Sequence, residues 1–185
     1  PLLSIGASGE FVRLLQNALN LAPTMLPRLA PDAAFGPKTG GRVVELLYLG
    51  AGQNPGDTLV HFPKEKVLFS GGPFSKNSWP NPMFTPSMSN WVVMLRKMAA
   101  MDVDRYLGGH GDIGAKQDVL NEAQMLADFD AGMRAAVAKG MSPQEILKSA
   151  PFEKYRDVRN YYRMNLFINS YHHFLTTGKP QVALP

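Results

Sequence analysis

His110 sits in Gly108-Gly109-His110-Gly111, with Asp112 close behind it and Ser70 well upstream. These residue types can do nucleophilic, acid–base or metal chemistry. A Ser-His-Asp triad is recognised by geometry, so spacing leaves Ser70, His110 and Asp112 open. The glycine loop is not a phosphate-binding P-loop, because it lacks the Lys and Ser/Thr that such a loop requires. Asp102 and Asp104 stand two apart in a strand candidate and so share a face, where a solvated strand edge is the plainer reading. His172 and His173 are neighbours on a helix and point about 100° apart, which makes them poor co-ligands. One is expected to cover core and the other to face solvent. None of His61, His172 and His173 has a spacing that builds a metal site with His110. Trp79 can stack on a sugar, close over a cleft or pack beneath its loop, and these readings all stand. The ten methionines read as adaptable core filler.

The elements that must position these groups follow from apolar spacing and punctuation. Ser8 is an N-cap candidate for a helix over Gly9–Leu21, and Pro23, Pro27 and Pro31 forbid a long helix after it. Residues 42–49 fit a short buried helix or a buried strand equally well. Thr58–Phe62 and Val67–Ser70 read as a hairpin across Pro63-Lys64-Glu65-Lys66. Gly71 to Pro86 is a Gly/Pro/Asn-rich loop long enough to be functional or an insertion. A helix should start at Thr85-Pro86, with Met88, Trp91, Val92, Leu95, Met98 and Ala99 on one face. Val103–Leu107 is a strand candidate. Ala115–Lys139 reads as a long helix burying Val119, Ala123, Leu126, Phe129, Met133 and Val137, with Gly140 as its stop. Ser142-Pro143-Gln144-Glu145 is a capping box, and a last helix is expected over about Val158–Leu175.

The chain has 185 residues, 45% of them hydrophobic and 18% charged, which fits one ordinary domain or two small ones and argues against disorder. Without cysteine there is no disulfide, thiolate metal site or cysteine nucleophile, and sulfur usage says nothing of redox compartment. The net charge is +4, but the basic residues are spread out, and Glu153 and Asp157 lie among Arg156, Arg159 and Arg163. That pattern argues against nucleic-acid binding. No run reaches the roughly 18 apolar residues of a membrane span, so a soluble protein is expected. The chain starts at Pro1 with no leader pattern, which predicts that any targeting segment is removed or absent.

Two resemblances meet near residue 40. Gly6, Gly9, Val12, Leu15, Gln16 and Leu19, followed by Asp32, Phe35, Gly36 and Thr39, resemble the motif of the small helical peptidoglycan-binding domain of bacterial cell-wall enzymes. Residues Gln16, Asp32, Phe35, Gly36 and Thr39 are the candidate binding positions. Most of the motif has a structural job: glycines at tight turns, Leu15, Leu19 and Phe35 in a small core, and Asp32 as a cap. From about Gly40 to Pro180 the chain resembles the C-terminal half of metallo-β-lactamase-superfamily hydrolases. The matching runs are Gln53-Asn54-Pro55-Gly56-Asp57, Phe69-Ser70-Gly71-Gly72 and Gly109-His110-Gly111, with a tail containing Tyr155, Asn160, Tyr161 and Tyr171.

The resemblance implies zinc ligands where this chain has Gln53 and Gly72. His110 alone matches a ligand, and it is read as vestigial. The family's His-x-His-x-Asp-His run has no counterpart. The expectation is an α/β chain: residues 1–40 a peptidoglycan-binding-like helical segment, and residues 41–185 half of a metallo-β-lactamase-like βα/αβ sandwich. Such a protein would be non-catalytic and cofactor-free, with peptidoglycan as partner. It would be extracytoplasmic in a bacterium if the first resemblance carries function; localisation is otherwise open. An apolar sheet face left by the half-sandwich would favour a homodimer. Two alternatives stand beside this reading: a zinc hydrolase whose ligands are completed by another chain, and a recombined or engineered chimera without a selected function.

Overall fold

The computed structural model describes residues 43–81, 85 and 87–179. The expectations for residues 1–40, including the helix over Gly9–Leu21 and candidates Gln16, Asp32, Phe35, Gly36 and Thr39, lie outside the described residues. Four strands, β1 (Glu45–Leu47), β2 (Leu59–Phe62), β3 (Val67–Gly71) and β4 (Arg105–Gly108), form a sheet in the order β1-β2-β3-β4. The first two pairings are antiparallel and β3–β4 is parallel. Four α-helices follow the hairpin: α1 (Met88–Ala100), α2 (Lys116–Ala138), α3 (Pro143–Ser149) and α4 (Met164–Thr177). This is an α/β fold.

The open segment at 42–49 yields β1, a three-residue edge strand pairing Leu46 with Val60. So short an element offers no periodicity to read. The β2–β3 hairpin forms as expected, with Lys66 N–H donating to the Pro63 carbonyl (3.3 Å) and Lys66 itself at φ 54°. Parallel strands need a crossover, and here the loop after β3 and α1 provide it. Helix α1 starts at Met88, later than the Pro86 start expected, because the Ser87 hydroxyl accepts the Asn90 N–H and caps it.

One sheet face carries Leu59, Leu68 and Tyr106 beneath α1, whose Trp91, Leu95 and Met98 are buried. The Tyr106 hydroxyl donates to the Met98 carbonyl (3.1 Å) and ties strand to helix. Helix α2 packs on α1 and buries Val119, Ala123, Leu126, Phe129 and Met133, as its spacing predicts; Val137, near its end, is half-buried. Met94, Met98 and Met133 are core. Beyond α2 an aromatic cluster forms around Phe129, with ring centroids 4.8 Å from Phe152, 5.5 Å from Trp79 and 5.7 Å from Tyr171. Trp79 therefore packs beneath its loop and is no sugar platform. On the opposite sheet face Phe62 and Val67 are fully buried, while toward the β1 edge Leu46 is half exposed.

Two expectations are corrected. Asp102 and Asp104 precede β4 instead of lying in it, and exposed Asp102 accepts from Lys66 (2.8 Å). The last helix begins at Met164, because Asn160 adopts φ 67° and the chain turns there before a short 3-10 segment at Tyr161–Arg163. The histidine pair behaves as expected: His172 is half-buried with Nε2 3.1 Å from the Met141 carbonyl, and His173 is exposed. Replacing Phe129 with Ala should lower stability by about 3–5 kcal/mol, since it removes the ring at the centre of the aromatic cluster. Urea denaturation of the Phe129→Ala variant measures this loss.

Candidate functional site

The parallel pair β3–β4 delivers two loops to one end of the sheet. After β3 the chain turns at Gly71 (φ 64°), and after β4 the His110 loop folds back over it. Gly109 N–H donates to the Gly71 carbonyl (2.6 Å), and a Cβ on Gly108 would overlap the Phe74 carbonyl oxygen. Backbone meets backbone here, which explains why the sequence places glycines before His110. Between the loops lies a cleft of about 420 Å³, lined among others by Gln53, Gly72, Ser75, Asn81, His110 and Arg163.

Each wall is anchored. Asp57 accepts from the Asn54 N–H (2.8 Å) and shapes the turn that presents Gln53. The Gln53 amide donates to the Asn81 carbonyl (3.2 Å), and Thr85 donates to the Gly52 carbonyl (2.8 Å). The Trp91 indole donates to the Pro73 carbonyl (2.9 Å), fixing the loop after β3 to α1. Buried Glu122 accepts the Ser75 N–H (2.9 Å), fixing the same loop to α2. Burial pushes the Glu122 carboxyl well above the usual range, and the Ser75 bond only partly opposes this. The far wall comes from the chain before α4: Trp79 N–H donates to the Arg159 carbonyl (2.8 Å), and the Asn160 amide donates to the Ser78 hydroxyl (2.9 Å). This clamp brings exposed Arg163 to the cleft.

The structure thus assembles Gln53, Gly72 and His110, which the sequence places far apart. It does not assemble a triad: the Ser70 hydroxyl donates to the Leu107 carbonyl (3.2 Å), and neither Ser70 nor Asp112 lines the cleft. Asn160 and Arg163 are lining residues that sequence reasoning did not place there. Asn160's left-handed backbone is a local signal, but nothing local joins it to Ser78.

The residues present do not fit a zinc ion. A catalytic zinc takes three protein ligands, and the cleft offers one imidazole, a neutral carboxamide and a glycine. A Cβ on Gly72 would overlap Gln53 Oε1, so the carboxamide fills the space a side chain at 72 would need. The ionisable groups lining the cleft are His110 and Arg163, with no carboxylate among them. Among the described residues no group of three or more His, Asp or Glu could hold a metal.

No protein-family model matches the sequence, and no curated protein matches it. Solved structures do. Metallo-β-lactamase from Pontibacter korlensis is 18% identical over 48% of this chain and 43% of its own, with a TM-score of 0.44. VMB-1 is 29% identical over 48% of this chain and 42% of its own, at 0.42. The stereoselective inverting sec-alkylsulfatase Pisa1 from Pseudomonas sp. is 14% identical over 75% of this chain and 26% of its own, at 0.58. Over about half its length the chain has the metallo-β-lactamase fold. It spans less than half of these lactamases and about a quarter of the sulfatase. The likeness is one of fold.

Gly108→Ala should destabilise by about 1–3 kcal/mol or more, because backbone cannot yield to the added methyl. Gly140→Ala, with nothing within 4 Å of its Cβ but φ 73°, should cost roughly 1–2 kcal/mol. Chemical denaturation of both variants, with the His110 ring signals followed by NMR in Gly108→Ala, separates the two causes. For Glu122 the folded chain keeps a proton that the unfolded chain releases above about pH 4.5. Stability should accordingly fall as pH rises from there toward its folded value. Glu122→Gln retains an oxygen for the Ser75 N–H and should flatten this decline in a urea-midpoint series against pH.

Proposed function

We propose that this is a non-catalytic binding protein whose metallo-β-lactamase-like cleft takes a small anion without a metal. The observation that carries the reading is the Gln53 carboxamide lying where a side chain at position 72 would project. The surrounding chemistry supports it. Arg163 supplies a permanent positive charge and a fork of donors, His110 a second nitrogen donor, and Asn160 sits beside them. Trp79 and Phe167 give the same cleft an apolar wall. An anionic head with a short hydrocarbon tail matches that division. The sulfatase that shares the fold has secondary alkyl sulfates in its name, which makes an alkyl sulfate the ligand to try.

In this reading residues 1–40 supply the cell-wall contact that their peptidoglycan-binding motif implies. The protein would then be held outside the cytoplasm while the cleft samples small anions. A zinc hydrolase completed by another chain remains the second reading, favoured by one feature: His110 is exposed and makes no side-chain hydrogen bond among the described residues.

Calorimetric titration with a secondary alkyl sulfate in the presence of chelator should show saturable binding and no sulfate release. Arg163→Ala should weaken it by roughly tenfold or more, the loss of a charge-assisted bond. Hydrolysis that chelator abolishes would sink this reading in favour of the second. Purified sacculi should retain the full chain, and muramidase digestion should release it; a chain that stays in the supernatant would remove the cell-wall half of the proposal.

A further inference from the structure

A second hollow, of about 220 Å³, lies between α2 and the Tyr155–Val158 turn and shares Ser75 and Ser78 with the cleft. That volume is the share of about seven waters, enough for a small organic molecule. Its polar lining is acidic or neutral: Asp118 and Glu122, one helical turn apart on α2, with Asn77 and Asn121. Met125, Val158 and the Tyr155 ring make the rest, and no Lys, Arg or His is among the lining residues. The charge character is thus opposite to that of the cleft.

Glu122 marks where a ligand would bind. The residue is 5% exposed, and its Oε2 accepts the Ser75 N–H at 2.9 Å. Among the described residues its Oε1 is buried without a hydrogen-bond partner, and folded proteins rarely leave such an acceptor unsatisfied. Asp118 has its partners already. It accepts from the Ala115 N–H (2.8 Å) and pairs with Lys76 (3.3 Å), which also donates to the Ile113 carbonyl.

We propose that this hollow binds a small alkylammonium ion, its N–H donated to Glu122 Oε1 and its hydrocarbon lying against Met125, Val158 and the Tyr155 ring. A bare metal cation suits the site less, because one of its two carboxylates is already committed and much of the wall is apolar. The titratable groups around Glu122 are Asp118 from its own helix, Tyr155 from the facing turn, and Lys76, which Asp118 holds. Burial pushes the Glu122 carboxyl above the usual range, and an ammonium ion beside it would act in the opposite direction by favouring the charged form. The inference is independent of what occupies the cleft.

The test is calorimetry on the full chain at neutral pH with propylammonium, with 1-propanol as the neutral isostere. Propylammonium should bind saturably and outbind 1-propanol. Glu122→Gln, which still accepts the Ser75 N–H, should weaken binding by roughly thirtyfold or more. Met125→Phe, which fills the hollow from a position that does not line the cleft, should also block it while alkyl sulfate binding at the cleft is unchanged. Equal binding of propanol, equal binding to Glu122→Gln, or no saturable binding would overturn the proposal and leave the hollow to water.

Discussion

At the C-terminal ends of β3 and β4 two backbones touch with no side chain between them. Gly109 donates to Gly71, and Gly108 lies so close to the Phe74 carbonyl that a methyl group has no room. The cleft follows from that approach. It sets the His110 loop against the loop after β3, which is itself held from behind. Trp91 and Glu122 do the holding, through the Pro73 carbonyl and the Ser75 N–H. Two helices are thus tied to one loop, and the aromatic cluster around Phe129 stiffens the far side through Trp79.

How much of this the sequence discloses depends on the range of the interaction. Helix α2 was legible because Val119, Ala123, Leu126, Phe129 and Met133 repeat at helical spacing over a long stretch. The Ser142 capping box was legible because its reciprocal bonds span three residues. The hairpin around Lys66 and the glycine loop at His110 were legible for the same reason. The start of α4 was not, since the turn at Asn160 (φ 67°) interrupts an apolar pattern that runs on into the helix. Asp102 and Asp104 fall outside β4 because the strand begins only at Arg105, and so short a strand has no pattern that marks its first residue. Trp79 stayed open until Phe129, Phe152 and Phe167 were seen around it.

The two hollows show the same limit in a functional setting. Gln53, Gly72 and His110 were picked out together by resemblance, and they do share a cleft. Arg163, Asn160 and Glu122 were not, because what matters for them is which loop they meet. Once placed, they give adjoining cavities of opposite charge on either side of Ser75 and Ser78. One is suited to anions and one holds a buried, unsatisfied carboxyl.

We propose that the cleft holds no metal, with the Gln53 carboxamide taking the space that a side chain at position 72 would need. Equilibrium dialysis against zinc followed by elemental analysis tests it most directly, on the wild-type chain, His110→Ala, and the Gln53→His/Gly72→Asp double variant. The account predicts no retained zinc in the first two and near-stoichiometric zinc in the double variant, which regains three ligands. Stoichiometric zinc in the wild-type chain, lost in His110→Ala, would contradict it.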